Sequence, residues 1–166
     1  MIEVFDNIFV GGDDDYEAKA RDCNFSYLHC AKYPYHKKIV GYTESISPTH
    51  PEYLFAHRNG IVSLNMVDSQ EAKHFNVVQF QYATLFIQSE IKKGQNVLIN
   101  CNKGQSRSPS VAMVYLARLG VVSSDSFAQA KEDFIKIYPD YKPAFGVTKF
   151  LIFSWRSLMQ PIITQK

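Results

Sequence analysis

Two kinds of apolar patterning alternate along the chain. Short apolar runs at Ser26–Cys30, Ile61–Val67 and Val97–Asn100 have the length and composition of strands buried on both faces. Between the second and third lies Asn76–Lys93, where Val77, Val78, Tyr82, Leu85, Phe86 and Ile91 fall on an inward helical face and Gly94 ends the run. Strand, helix, strand is a βαβ unit, and its right-handed crossover makes the two strands parallel. Nearer the N-terminus, Ile2–Phe5 and Ile8–Val10 flank Asp6-Asn7 as a hairpin, and Asp13–Asp15 start a helix that runs to about Arg21. Downstream, Val111–Leu119, Asp125–Ile137 and Ala144–Met159 predict three more helices that cover the sheet. Their Phe127, Phe134, Phe150 and Trp155 recur at helical spacing and belong to the core. The predicted fold is α/β, with a mostly parallel twisted sheet of about five strands flanked by helices.

One stretch breaks the pattern. Ala31–Gly60 is too long for an ordinary connection and crowded with Tyr33, Tyr35, Tyr42, Tyr53, His36, His50 and His57. Because it leaves from the carboxyl edge of the sheet, one expectation is an aromatic wall beside a pocket at that edge. The other is a surface insertion with its own helical turn near Pro51–His57.

Composition narrows the class. A chain of 166 residues, 46% hydrophobic and 14% aromatic, suits a single domain over residues 1–166. The net charge is only +2 and no basic block appears, so nucleic acid and anionic membranes are not expected partners. No apolar run approaches the ~20 residues of a membrane span, and the first residues lack a signal-peptide layout. A cytoplasmic location is expected, with secretion into a host cell left open. Cys23, Cys30 and Cys101 have neither metal-ligand spacing nor an even disulfide framework, so no metal or other cofactor is expected and a reducing compartment suits the chain. Cys30 ends a strand on the same edge as Cys101, either as a packed thiol or as a redox partner.

The chemistry concentrates in Asn100-Cys101-Asn102-Lys103-Gly104-Gln105-Ser106-Arg107-Ser108-Pro109. A strand ends, six residues turn, and a helix starts near Pro109, leaving the amides of residues 102–106 without helical partners. Gly104 permits a conformation that turns several inward, forming a nest for an anion. Ser108 suits the N-cap and Pro109 the first helical position, so the helix dipole points into the ring. The same field stabilises a thiolate at Cys101, which makes it a nucleophile. Arg107 adds a planar fork that grips two phosphate oxygens.

Cys101-x5-Arg107-Ser108, with Gly104 at the third loop position, resembles the signature of cysteine-dependent protein phosphatases. The Ser106-Arg107-Ser108 ending is similar to the dual-specificity branch. Leu64-Asn65-Met66-Val67-Asp68 resembles that family's general-acid segment. Tyr33-Pro34-Tyr35-His36, Gly41-Tyr42-Thr43 and His50-Pro51-Glu52-Tyr53-Leu54 are most like bacterial and phage members, and the similarity spans roughly residues 2–158. The resemblance implies a protein-tyrosine-phosphatase-like fold and hydrolysis of phosphotyrosine, with phosphoserine and phosphothreonine as further substrates, through a phosphocysteine. The partner would be a phosphorylated protein. Asp68 would be the acid, Cys101 the nucleophile, Arg107 the phosphate clamp, and Ser108 the hydroxyl that helps sulfur leave. Asn102, Lys103, Gly104, Gln105 and Ser106 would line the phosphate.

The chain departs from the family at Asn100, where a histidine ordinarily precedes the cysteine. An asparagine supports the loop by hydrogen bonding but carries no positive charge. The acid limb of the rate profile should therefore sit higher, and Asn100→His should lower it. Two alternatives stand beside the protein phosphatase: a phosphoinositide phosphatase, for which Lys103 is the only cation in the loop besides Arg107, and a phosphate-binding pseudophosphatase that docks without turnover.

Overall fold

The structure, a computed structural model, describes residues 1–162. Strands β1 (Ile2–Phe5) and β2 (Ile8–Gly11) form an antiparallel hairpin, followed by α1 (Asp13–Lys19) and β3 (Phe25–His29). A helical turn at Lys32–His36 runs into α2 (Lys37–Val40), and β4 (Phe55–Arg58) and β5 (Ile61–Leu64) make a second hairpin. Then come α3 (Val77–Lys92), β6 (Asn96–Asn100), α4 (Arg107–Arg118), α5 (Phe127–Ile137) and α6 (Phe145–Met159). The sheet order is β1-β2-β6-β3-β5-β4, parallel from β2 to β5 with an antiparallel strand at each edge. The expected βαβ unit is present as β5, α3 and β6, with β3 between its two strands.

The sheet thus has six strands where about five were expected, and the sixth replaces the helical turn expected near Pro51–His57. The cause is Asn59-Gly60. Both residues have positive φ, 46° and 76°, and a two-residue turn of that kind matches the twist of the strands it joins, so Arg58 folds back opposite Ile61. At its other end β5 is shorter than the expected Ile61–Val67. The chain leaves the sheet at Asn65, whose Nδ2 donates to Tyr53 O at 2.8 Å and whose carbonyl accepts from Gln79 Nε2 at 3.0 Å.

Helix α3 turns a different face inward from the one expected. Gln79, Phe80, Ala83, Thr84, Phe86, Ile87 and Glu90 are buried, while Val78 is exposed and Val77, Tyr82, Leu85 and Ile91 are only partly covered. Three polar side chains on the buried face hid it from an apolar count, and each is satisfied there. Gln79 donates to the Leu54 and Asn65 carbonyls at 3.0 Å, Thr84 donates to Phe80 O at 3.0 Å, and Glu90 accepts from Ser26 Oγ at 2.7 Å and Lys93 Nζ at 2.5 Å.

Burial alone would raise the Glu90 carboxyl, but the hydrogen bonds from Lys93 and Ser26 outweigh it and hold the group below the usual range. A depressed folded-state value stabilises the protein above the unfolded carboxylate value, ~4.3, and that stability is lost as pH falls through the folded one. Glu90→Gln is therefore expected to lower stability by about 1 kcal/mol at pH 7, with the gap to the parent narrowing at pH 4. Urea unfolding at the two pH values checks this, and an equal gap at both would remove Glu90 as the cause.

Helices α3 and α4 pack on one face of the sheet with α5 and α6 outside them, and α1 and the Lys32–Val40 turns lie on the other. The core runs through Val10, Leu28, Val62, Ile99, Met113, Leu116 and Leu151, all fully buried. Four parallel strands end at one edge with Gly11, Asn100, His29 and Leu64. Ligands of such sheets sit outside this edge.

Candidate active site

Residues 101–106 turn at that edge between β6 and α4, and groups outside the loop set their conformation. The Asn102 carbonyl accepts from Asp13 N at 3.2 Å, Gly104 O from the Tyr138 hydroxyl at 2.9 Å, and Gln105 O from Lys142 N at 2.8 Å. Burial pushes the Tyr138 hydroxyl up to about 12, which keeps it a donor at neutral pH. With carbonyls drawn outward, the amides face the other way, and none from Asn102 to Ser106 finds a protein acceptor among the described residues. Unpaired backbone donors of this kind suit an anion.

Gly104 has φ +69°, and a Cβ there would stand 2.7 Å from Gly11 C. The loop thus lies flush on the end of β2, and only glycine fits at both the conformation and the contact. Gly12 is similarly close, with its added Cβ 3.2 Å from Asn102 O.

Cys101 is 2% exposed at the end of β6, and its N–H donates to Gly11 O at 3.4 Å. The Ser108 hydroxyl lies 3.2 Å from Cys101 Sγ and 3.3 Å from Gly11 O. Contrary to expectation, Ser108 is not the helix cap and Pro109 is not the first helical residue. Helix α4 begins at Arg107 with Ser106 as N-cap, and Ser106 Oγ accepts instead from Ala144 N at 2.9 Å. Starting the helix two residues early places Ser108 inside the first turn, where its side chain faces the sulfur.

Arg107 is 6% exposed and held at two points. One terminal nitrogen donates to Met66 O at 3.1 Å and the other to Asn102 Oδ1 at 2.8 Å, while Nε has no partner among the described residues. Met66 O also accepts from Lys32 N at 2.7 Å, so one carbonyl ties the segment before Asp68 to both the arginine and the chain after β3. Asp68 follows two residues later and is exposed. Its loop is braced by α6, because Gly146 packs so tightly that an added Cβ would collide with Ser69 O. Lys103 is exposed, and Gln105 is partly exposed.

Behind the loop, Asn100 is fully buried and its Oδ1 lies 2.7 Å from Nδ1 of His29, its register partner on β3. Cys30 comes next along β3, fully buried, with its N–H on Asn100 O at 2.7 Å. Burial and the facing Cys101 push its thiol well up, so it is a packed, protonated neighbour.

The long segment divides in two. Its first half lies against the site: Tyr33, Pro34, Lys37, Lys38, Gly41 and Tyr42 line a cavity of ≈ 600 Å³ with Asn102, and Asn102 Nδ2 donates to Tyr33 O at 3.1 Å. Buried His36 pins this half to the second, bonding the Tyr42 hydroxyl at 3.2 Å and Glu52 O at 2.8 Å. The second half supplies β4.

Sequence reasoning missed Gly11, Gly12, Asp13, Tyr138, Lys142 and Gly146. Gly11-Gly12 before an acidic helix start was the one local signal available. Among the described residues no group of three or more His, Cys, Asp or Glu is placed to share a metal ion, and no helix is long and apolar enough to cross a membrane.

The family model for the dual specificity phosphatase catalytic domain matches residues 29–140, from the end of β3 through the loop and α5. No curated protein matches the chain significantly. Among solved structures, human DUSP28 superposes with a TM-score of 0.64 at 16% identity, covering 96% of this chain and 95% of that one. The Cydia pomonella PTP-2 phosphatase gives 0.63 at 16% identity, covering 92% and 88%. The human tyrosine phosphatase-like serine/threonine/tyrosine-interacting protein gives 0.62 at 14% identity, covering 94% and 95%. At these identities the structures attest a shared fold, while the family model covers more than half of the chain and includes the loop. The chain therefore belongs to the dual specificity phosphatase family.

Proposed function

We propose that the protein hydrolyses phosphate monoesters on proteins in two displacements at phosphorus, with Cys101 as the nucleophile. The observation that carries this reading is the run of unpaired amides in the turn that follows Cys101, with the buried Arg107 guanidinium bonded to that turn at Asn102 and the Ser108 hydroxyl 3.2 Å from Cys101 Sγ. In the first step the Cys101 thiolate attacks phosphorus, the bond to the leaving oxygen breaks, and Asp68 donates its proton to that oxygen. In the second, the Asp68 carboxylate takes a proton from water as the water oxygen bonds to phosphorus. The S–P bond breaks, and the Ser108 hydroxyl stabilises the departing thiolate. The amides and Arg107 hold the three equatorial oxygens in both steps, where their charge is greatest.

Phosphotyrosine is the preferred substrate on this reading, since Tyr33 and Tyr42 flank the loop at Asn102 and offer aromatic surface to a phenyl ring. Phosphoserine and phosphothreonine are the shorter alternatives. A multiply phosphorylated inositol is the second reading, favoured by Lys37 and Lys38, which line the same cavity and add cations that the loop lacks. Initial rates on phosphotyrosine and phosphoserine peptides and on a soluble inositol polyphosphate separate the three. A faster inositol reaction would displace the peptide reading.

The acid is tested by Asp68→Asn. The variant is expected to lose roughly 100-fold in kcat on a phosphotyrosine peptide, and less on para-nitrophenyl phosphate, whose leaving group needs little protonation. Its pH profile should lack the parent's descending basic limb. An intact basic limb in the variant would assign the acid to another group.

A further inference from the structure

The nucleophile's two neighbours in sequence are each held from behind, and the two holds meet. Asn100 Oδ1 is bonded at 2.7 Å by His29 Nδ1. Asn102 Nδ2 donates to Asp13 Oδ2 at 3.1 Å, and Asn102 Oδ1 accepts from Arg107. Tyr35 joins His29 to Asp13: its ring stacks on the imidazole with centroids 4.0 Å apart and planes 13° from parallel, and its hydroxyl donates to Asp13 Oδ1 at 2.6 Å. We propose that His29, Tyr35 and Asp13 form a brace that fixes Cys101 between Asn100 and Asn102, with His29 as the positioning residue that supplies from β3 the histidine absent from position 100.

The chemistry of the imidazole fits the task. His29 is 3% exposed, and burial lowers it to about 4, so it is neutral at working pH. Its single ring proton then sits on Nδ1 and is donated to Asn100 Oδ1. The ring is held edge-on by Tyr16 of α1 at 4.5 Å and face-on by Tyr35, and Tyr27 stacks alongside at 6.4 Å. The titratable groups around it are these three tyrosines, Lys38, which lines the same small cavity, and Asp13 beyond Tyr35. His29 therefore acts as a fixed donor and not as a titrating one. Its effect on Cys101 passes through the backbone of residues 100–102, which leads from the end of β6 into the unpaired amides that start at Asn102. Slackening that backbone withdraws donors from both thiolate and phosphate. A histidine placed at position 100 alone would meet His29, so the expectation that Asn100→His lowers the acid limb holds only when residue 29 changes with it.

The proposal rests on Cys101 being the nucleophile of a phosphatase, and a readout that needs no turnover separates the two ideas. The pH dependence of Cys101 alkylation by iodoacetamide, followed by mass spectrometry, is compared with kcat/KM for para-nitrophenyl phosphate. His29→Leu is expected to raise the alkylation midpoint by about one pH unit and lower kcat/KM roughly tenfold. The double exchange His29→Asn with Asn100→His restores a donor–acceptor pair across the two strands and is expected to bring the alkylation midpoint back to the parent's or below it and kcat/KM to within about threefold of the parent. An unchanged midpoint in His29→Leu overturns the proposal, as does a double exchange no better than His29→Leu. If His29→Leu lacks a cooperative thermal transition, Tyr35→Phe carries the test. It keeps the stack, severs the link to Asp13, and must raise KM for phosphate ester while leaving the fold intact. A parent that is alkylated as expected but turns over nothing defeats the phosphatase reading and leaves the brace standing.

Discussion

Arg107→Lys is expected to lower kcat for para-nitrophenyl phosphate about a thousandfold, ~4 kcal/mol of transition-state stabilisation, while the fold persists. The guanidinium is buried and anchored at two fixed acceptors, Met66 O and Asn102 Oδ1, which set its plane before any substrate arrives. Lysine has one nitrogen and no plane. It satisfies one of the two acceptors at most, leaves the other unpaired in a buried site, and presents a point charge where three equatorial oxygens need a flat array of donors. Because those oxygens gain most at the transition state, kcat should fall more than KM rises. Steady-state kinetics on the purified variant, with its thermal midpoint as a control, checks the prediction. A loss under tenfold would show that the amide ring alone stabilises the transferring group.

Cys101→Ser is expected to remove turnover altogether, by at least about 10⁴-fold, and to leave binding of a phosphotyrosine peptide in place. A serine hydroxyl is a far weaker nucleophile than a thiolate, and the side chain bonded to this position is the Ser108 hydroxyl, which is no base. The donors that hold phosphate are backbone amides and Arg107, none of which the substitution touches. Calorimetric titration of the variant with the phosphopeptide should therefore show binding where the parent shows hydrolysis. Rapid quenching of the parent should give a phosphorylated species that maps to the peptide containing Cys101. Turnover in the serine variant close to the parent's would place the chemistry elsewhere. Equal binding by both proteins with no turnover in either would make the chain a phosphoprotein-docking module.

Legibility in the sequence followed distance along the chain. Cys101, Gly104 and Arg107 lie within seven residues, and the geometry that unites them is local to one turn, so their spacing announces it. Asp68 could be placed on the same edge because a βαβ crossover aligns strand ends. Asp13, Tyr138 and Lys142 hold the loop's carbonyls, yet they arrive from two distant parts of the chain and carry no pattern of their own. His29 meets Asn100 only through strand register, which one sequence does not reveal. Other signals were present and outweighed. Asn59-Gly60 marks a hairpin just beyond Pro51–His57, where a helical turn was one of the two expectations. In α3 the satisfied polar residues Gln79, Thr84 and Glu90 disguised the inward face. Ser108 has the chemistry of a cap, but Ser106 occupies that position because its hydroxyl is drawn to Ala144 N.

The outward bonds of the loop carbonyls have a consequence for how the protein is built. Asp13 belongs to the first turn of α1, whereas Tyr138 and Lys142 follow α5, so the cradle is closed by segments about 130 residues apart. A chain cut short before Tyr138 keeps the entire signature yet loses the donors that turn the Gly104 and Gln105 carbonyls away. The heptapeptide transplanted to another strand and helix would be equally shapeless. On the proposed function, affinity for phosphate is a property of the finished tertiary structure, and an oxyanion that binds only the finished form is a ligand that draws the last segments into place.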